Sequence, residues 1–142
     1  MNMTVNEVQD TIIEEFSLFD DWMDKYNVLI DMGKDLPLIN PKFRITDYLI
    51  EGCQSKVWLR PDFDGNKITF TADSDALITR GIVALLIKVL SDRTPDEIIS
   101  ADLYFIDRIG LRQNLSPTRS NGLLSMVRQM RLYAMAFKAM SN

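Results

Sequence analysis

A chain of 142 residues with 46% hydrophobic and 25% charged side chains can bury a core and fold alone, and nothing in it reads as disordered. Its formal charge of -4, with no basic tract interleaved with aromatics, argues against nucleic acid as a partner. It has no histidine and one cysteine, which excludes Ser-His-Asp and Cys-His nucleophiles, the commonest zinc ligation, an unaided iron–sulfur site and an internal disulfide.

In chain order, the opening "MNMTVNEVQDTIIEEF" is polar and acidic, unlike a secretory signal. Val8, Ile12 and Phe16 recur at helical spacing and predict a helix from about Glu7 to Leu18. Asp20 or Asp21 can cap a second helix carrying Trp22, Tyr26, Leu29 and Ile30, with Gly33 placed to end it. "KDLPLINPKF" reads as an extended linker, because Pro37 and Pro41 discourage helix. The middle reads as sheet: "KVWLR" and "KITFTA" alternate, with Val57 and Leu59 matched by Ile68, Phe70 and Ala72. "PDFDGN" between them is a hairpin loop, and "RITDYLI" is a candidate third strand.

"DSDALITRGIVALLIKVLSD" is apolar nearly all round and predicts a central buried helix. Its most apolar run, "GIVALLI" before Lys88, is too short to span a membrane, and a cytoplasmic location is expected. "TPDEI" is a capping box with Thr94 as cap and Glu97 reaching back, and it starts a short helix through Tyr104 and Phe105 to near Gly110. "LSPTRSNG" opens the last helix with Ser116 as cap, and Leu123, Val127, Met130, Ala134 and Phe137 form its stripe. Met126, Met130, Met135 and Met140 read as core or flank of that helix. The fold class is α+β: a small antiparallel sheet of about three strands against several helices, with no repeat and no second domain.

The candidate site centres on Cys53. A lone cysteine is usually inert core. Here Gly52 suggests a tight turn, and Gln54 and Ser55 make the stretch polar, so spacing alone leaves a reactive and a structural thiol both open. Asp73, Ser74 and Asp75 read more simply as a helix cap than as a carboxylate pair. "DFDGN" from Asp62 has its glycine misplaced for a calcium loop and reads as a turn. Arg119, a cation in the first turn of the last helix, is either an ordinary surface arginine or a group that faces a partner or an anion. Gly122 weakens that helix and suggests a close backbone approach.

"GCQSKVW", "DSDALITRGIVALL" and "LSPTRSNGLLSMVRQMR", in that order, together with "DDWMDKYNVLIDMGKDLP", resemble the SufE family of sulfur acceptor proteins over nearly the whole chain. The resemblance implies one SufE-like domain over residues 1–142, with a fold like that of IscU-type scaffolds but lacking the scaffold's three cysteine ligands. It implies a pyridoxal-phosphate cysteine desulfurase (SufS-like or of a parallel system) as partner and a cluster-assembly scaffold as recipient. Cys53 would be the persulfide acceptor, with Gly52, Gln54, Asp75 and Arg119 in support. No cofactor or metal of its own and no independent turnover are expected. A cysteine-based redox sensor and a plain interaction module are the alternatives. The family also implies an inward-turned, slow-reacting thiol. From the sequence, Tyr48, Leu49, Val57 and Trp58 are the expected lining of its pocket.

Overall fold

The computed structural model describes residues 3–141. Helix α1, Val5–Ser17, begins earlier than periodicity alone suggests because Thr4 and Glu7 form a capping box. The Glu7 amide donates to Thr4 Oγ1 at 3.1 Å, and the Thr4 amide donates to Glu7 Oε1 at 3.0 Å. Val8, Ile12 and Phe16 face the core as expected. Helix α2, Trp22–Gly33, is capped by Asp21, whose carboxylate accepts from the Met23 amide at 2.9 Å.

Helix α2 ends at Gly33 as expected, and Gly33 has a second use. It is not in the left-handed region; instead it lets α2 press on helix α3, Leu77–Leu90. A Cβ on Gly33 would sit 3.1 Å from the Gly81 nitrogen, and one on Gly81 would sit 2.2 Å from the Leu29 carbonyl oxygen. Two glycines thus allow backbone contact between these helices. Helix α3 is the buried centre: Val83, Leu86, Val89 and Leu90 are fully enclosed.

Strands β1, Val57–Phe63, and β2, Ile68–Ser74, pair antiparallel from Val57 opposite Ser74 to Phe63 opposite Ile68. Val57, Leu59, Ile68, Phe70 and Ala72 point into the core, as their alternation requires. The hairpin turn is shorter than expected. Pro61, Asp62 and Phe63 belong to β1, and Asp64 closes the turn by accepting from the Asn66 and Lys67 amides at 2.8 and 2.7 Å.

The segment 44–50 is not a third strand. Thr46–Tyr48 is a 3-10 turn, and pairing is confined to its end, where Leu49 bridges Trp58 and the Ile50 amide donates to the Val57 carbonyl at 2.9 Å. Its apolar residues do not alternate, and Thr46 and Asp47 favour a turn. The linker before it adds one parallel bridge, Leu38 to Ala72, on the other edge of β2.

The capping box at Thr94 starts helix α4, Pro95–Ser100, which stops well short of Gly110. The chain turns extended at Ala101, and two shorter helices follow, α5 (Phe105–Arg108) and α6 (Leu111–Asn114). The break is stabilised from far along the chain: Arg131 donates to the Ala101 carbonyl at 2.6 Å and Gln9 to the Asp102 carbonyl at 3.0 Å. Carbonyls captured this way no longer need a helical partner. Helix α7, Pro117–Ser141, opens with the Arg119 amide donating to Ser116 Oγ at 3.2 Å and buries Leu123, Val127, Met130 and Ala134.

Candidate functional site

Residues 51–55 form a corner between the 3-10 turn and β1, and its base is held at both ends. On one side is the Ile50 to Val57 hydrogen bond. On the other, the Lys56 amide donates to Asp75 Oδ1 at 3.1 Å, and the Lys56 carbonyl accepts from Ser74 Oγ at 2.8 Å. This is the observed use of the Asp73–Asp75 segment. Its carboxylates do not cap α3, whose N-cap is Ala76; only Ser74 Oγ reaches that end, accepting from the Ala76 amide at 3.3 Å. Asp73 and Ser74 finish β2, and the buried carboxylate of Asp73 meets the guanidinium of Arg44 and, at 3.0 Å, that of Arg80. The sequence gives no local sign of that pairing, because its partners come from the linker and from α3.

At the tip, Gly52 has φ +89, a conformation that favours glycine. It lies on α7: a Cβ there would be 2.5 Å from Ser125 Oγ. The next residue, Cys53, is half-buried, and its Sγ lies 3.6 Å from the Gly122 carbonyl oxygen, a distance at which a thiol donates weakly. A Cβ on Gly122 would rest 3.5 Å from Sγ, in ordinary contact. Burial pushes the Cys53 thiol pKa up, because a thiolate there would lose its hydration.

Cys53 opens onto a cavity of about 250 Å³. The corner contributes Gln54 and Ser55, α3 contributes Thr79 and Ile82, and α7 contributes Ser116, Thr118, Arg119, Gly122 and Met126. The structure therefore brings Cys53, Gln54 and Arg119 to one cavity, with Gly52 behind it on Ser125 and Asp75 outside it at the base of the corner.

The expected lining of Tyr48, Leu49, Val57 and Trp58 is not what surrounds the cavity. Val57 is buried in the core under the sheet, Leu49 and Trp58 are bridged to each other, and Tyr48 meets the Phe43 ring edge-on at 5.8 Å. Sequence neighbours of the corner are drawn into the sheet, so distant helices supply its walls. Met126 and Ser125 were legible in principle, since they lie four and three residues beyond Gly122 on a predicted helix. Thr79 and Ile82 carried no such signal. Among the described residues no cluster of acids or thiols has the makings of a metal site. Among them, too, no helix is long and apolar enough to cross a membrane.

Comparison with known proteins adds lineage to this geometry. The family described as SufE, Fe-S metabolism associated domain, matches residues 10–134. An uncharacterised SufE-like protein of Rhizobium etli is 41% identical over 127 residues, covering 86% of this chain and 86% of its own. SufE-like protein 1, chloroplastic/mitochondrial, of Arabidopsis thaliana is 41% identical over 112 residues, which cover 78% of this chain and 30% of that one. The solution structure of a hypothetical protein from Thermus thermophilus superposes with a TM-score of 0.76, covering 93% of this chain and 96% of that one. At 17% identity it speaks for the fold alone. With the family matched from Asp10 to Ala134 around the Cys53 cavity, this chain belongs to the SufE family, whose domain is associated with Fe–S metabolism.

Proposed function

We propose that the chain is a sulfur acceptor and carrier, one domain over residues 1–142, that takes sulfur from a pyridoxal-phosphate cysteine desulfurase onto Cys53. The thiolate of Cys53 attacks the terminal sulfur of the desulfurase's persulfide. A new S–S bond forms at Cys53, the enzyme's S–S bond breaks, and the enzyme keeps its thiolate. Such exchange needs one thiolate and no histidine. A second cysteine nearby would attack the persulfide and release sulfide, which suits a chain with one thiol. Removal of sulfur from the enzyme accounts for stimulation of its turnover, and delivery runs onward to an iron–sulfur scaffold. The cytoplasm, which keeps thiols reduced, is the compartment this role calls for.

The observation that carries the reading is the placement of this chain's one thiol, half-sheltered on a clamped corner at a cavity mouth. A sheltered, neutral thiol is slow to react on its own, so transfer waits on the corner swinging out toward the partner, with Gly52 as hinge. Arg119, exposed at the same cavity, is assigned a contact with the partner or with the thiolate as it forms. Gln54 belongs to the mobile tip, and Asp75 to its fixed base. The redox-sensor alternative fits less well: sensing cysteines have lowered pKa values, and here burial acts the other way.

The test is incubation with a cysteine desulfurase and radiolabelled cysteine. Label and a mass gain of one sulfur atom are expected on Cys53, and both uptake and stimulation are expected to vanish in Cys53→Ser while the fold is kept. Stimulation beyond the first turnover by the serine variant would remove Cys53 as the acceptor.

A further inference from the structure

A hydroxyl on a helix can be returned to the helix's own backbone, and elsewhere in this chain it is. Thr11 donates to the Glu7 carbonyl at 3.0 Å and Ser100 to the Asp96 carbonyl at 2.8 Å. Thr79, in the first turn of α3, does not do this. It is 6% exposed, and its hydroxyl has no hydrogen-bond partner among the described residues. Its oxygen is not sealed in as the Nε atoms of Arg60, Arg80 and Arg131 are, and the open space beside it is the Cys53 cavity. A buried hydroxyl costs free energy unless something accepts from it. The rest of the wall has the matching sign. Arg119 is its one charged side chain among the described residues, no carboxylate lines it, and Gln54, Ser116 and Thr118 add an amide and two hydroxyls. Those four side chains are exposed and water serves them, whereas Thr79 is the buried polar member of the wall.

Loading exchanges the proton of Cys53 for a sulfur. The Cys53 thiolate takes the outer sulfur, the S–S bond of the donor breaks, and the proton ends on the donor's thiolate, so atoms and electrons balance. The side chain grows by about 2 Å, the length of one S–S bond. The cavity of about 250 Å³ has room for it. The outer sulfur of a persulfide is a stronger acid than a thiol and carries a negative charge near neutral pH. It accepts and has nothing to donate. The contact of S–H with the Gly122 carbonyl at 3.6 Å is given up, and it was weak. A hydrogen bond from a hydroxyl to a charged acceptor is roughly twice as strong as a neutral one.

We infer that the Thr79 hydroxyl is the buried donor that receives the outer sulfur of the Cys53 persulfide, so that the loaded corner is held more firmly than the empty one. This rests on the sulfur-acceptor reading and deepens it by naming a residue that binds the transferred atom, supplied by α3 and not by the corner. Release then falls to the recipient, which must offer the outer sulfur a better place than Thr79 does.

Two measurements on the full chain test this: hydrogen exchange over residues 50–56, and the rate at which cyanide removes the outer sulfur as thiocyanate. Wild type is compared with Thr79→Val, which keeps the shape and loses the hydroxyl, and with Thr79→Ser, which keeps the hydroxyl. Each is measured as the thiol and as the persulfide made with inorganic polysulfide. Loading is expected to slow exchange at the corner in wild type and in the serine variant, and not in the valine variant. The valine variant's persulfide should also yield to cyanide about tenfold faster than wild type, the scale of one hydrogen bond to a charged group. The three thiol forms should exchange within about twofold of one another, because a hydroxyl without a partner does not hold the empty corner. Equal exchange and equal cyanide rates for the valine and wild-type persulfides would overturn the inference, since the hydroxyl then serves only water. A valine variant that opens the thiol and the persulfide corners alike would overturn it by making Thr79 a packing residue, and so would a serine variant that behaves as the valine one. Polysulfide needs no desulfurase, so failure here is separate from failure of enzymatic loading, which the radiolabel decides.

Discussion

Asp73 and Cys53 are polar groups near the base and at the tip of the same corner, and they are held in opposite ways. Asp73 is 3% exposed and has its charge matched by Arg44 and Arg80, with the Ser74 amide donating to it at 2.8 Å as well. Cys53 is half-buried and neutral, and its sulfur has a weak contact with one carbonyl at 3.6 Å. A buried charge with several partners has nowhere better to go, whereas a thiol on a single acceptor can leave at small cost. The comparison teaches how 142 residues combine a fixed frame with a releasable tip: strong, redundant pairing secures the end of β2 and Lys56, and weak pairing is kept for the reacting atom.

The largest effect should come from breaking the base. Asp73→Ala leaves two guanidinium groups without their shared carboxylate. Removing one member of a buried pair costs about 3–5 kcal/mol, but both arginines are about a third or more open to solvent, which lowers the expectation to about 2 kcal/mol. Urea unfolding should register that loss, together with faster exchange at Lys56 and Val57. A variant as stable as wild type would mean that the frame depends on the Lys56 bonds to Ser74 and Asp75 alone.

The same contrast explains what was legible in the sequence. Local chemistry was readable: the Thr94 capping box, the Ser116 cap, the alternation of β1 and β2 and the all-round apolar α3 stand as expected. The capping box at Thr4 has the same spacing and sets the start of α1, and periodicity alone put that start too late. What was not readable depends on partners far along the chain. The break after α4 needs Gln9 and Arg131, the fate of Asp73 needs Arg44 and Arg80, and the cavity needs walls from α3 and α7. Cys53 and Arg119 came together in expectation through the family resemblance, and both line the cavity.

The tip is the next place to intervene. Gly52→Ala meets two penalties: a positive φ costs an L-residue about 1–2 kcal/mol, and the new methyl would lie 2.5 Å from Ser125 Oγ. The serine can turn aside, so part of the second penalty relaxes. Global stability should fall by at most about 1–2 kcal/mol, with the strain relieved by undocking, and iodoacetamide should modify Cys53 faster than in wild type. Combining it with Ser125→Ala should restore part of the slow rate. Unchanged alkylation in the single variant would show that Gly52 does not control docking.

A smaller effect is expected from pH. Burial raises the thiol pKa in the docked corner above its value in an open one. The docked state therefore holds its proton more tightly. Its advantage is whole below the ordinary thiol pKa and is lost as pH rises through the raised value. Alkylation of wild type should thus turn on at a higher pH than alkylation of Gly52→Ala, where the thiol titrates nearer its ordinary range. Coincident profiles would indicate that the thiol is not sheltered by docking.

The smallest effect is the most discriminating between the carbonyl of Gly122 and its missing side chain. Glycine inside a helix is less favourable than alanine by about 1 kcal/mol, so Gly122→Ala gains in α7 whatever the site does. The added methyl would lie 3.5 Å from Sγ and 3.9 Å from the Cys53 Cα and Cβ, contacts that require no displacement. The carbonyl that accepts the S–H remains where it was. Stability should therefore be unchanged or slightly higher, and the alkylation rate of the resting thiol should stay within about twofold of wild type, since no hydrogen bond is lost. If instead alanine opens the corner and alkylation quickens to the level of Gly52→Ala, the fit of Cys53 against a bare glycine governs docking, and the carbonyl contact is incidental to it.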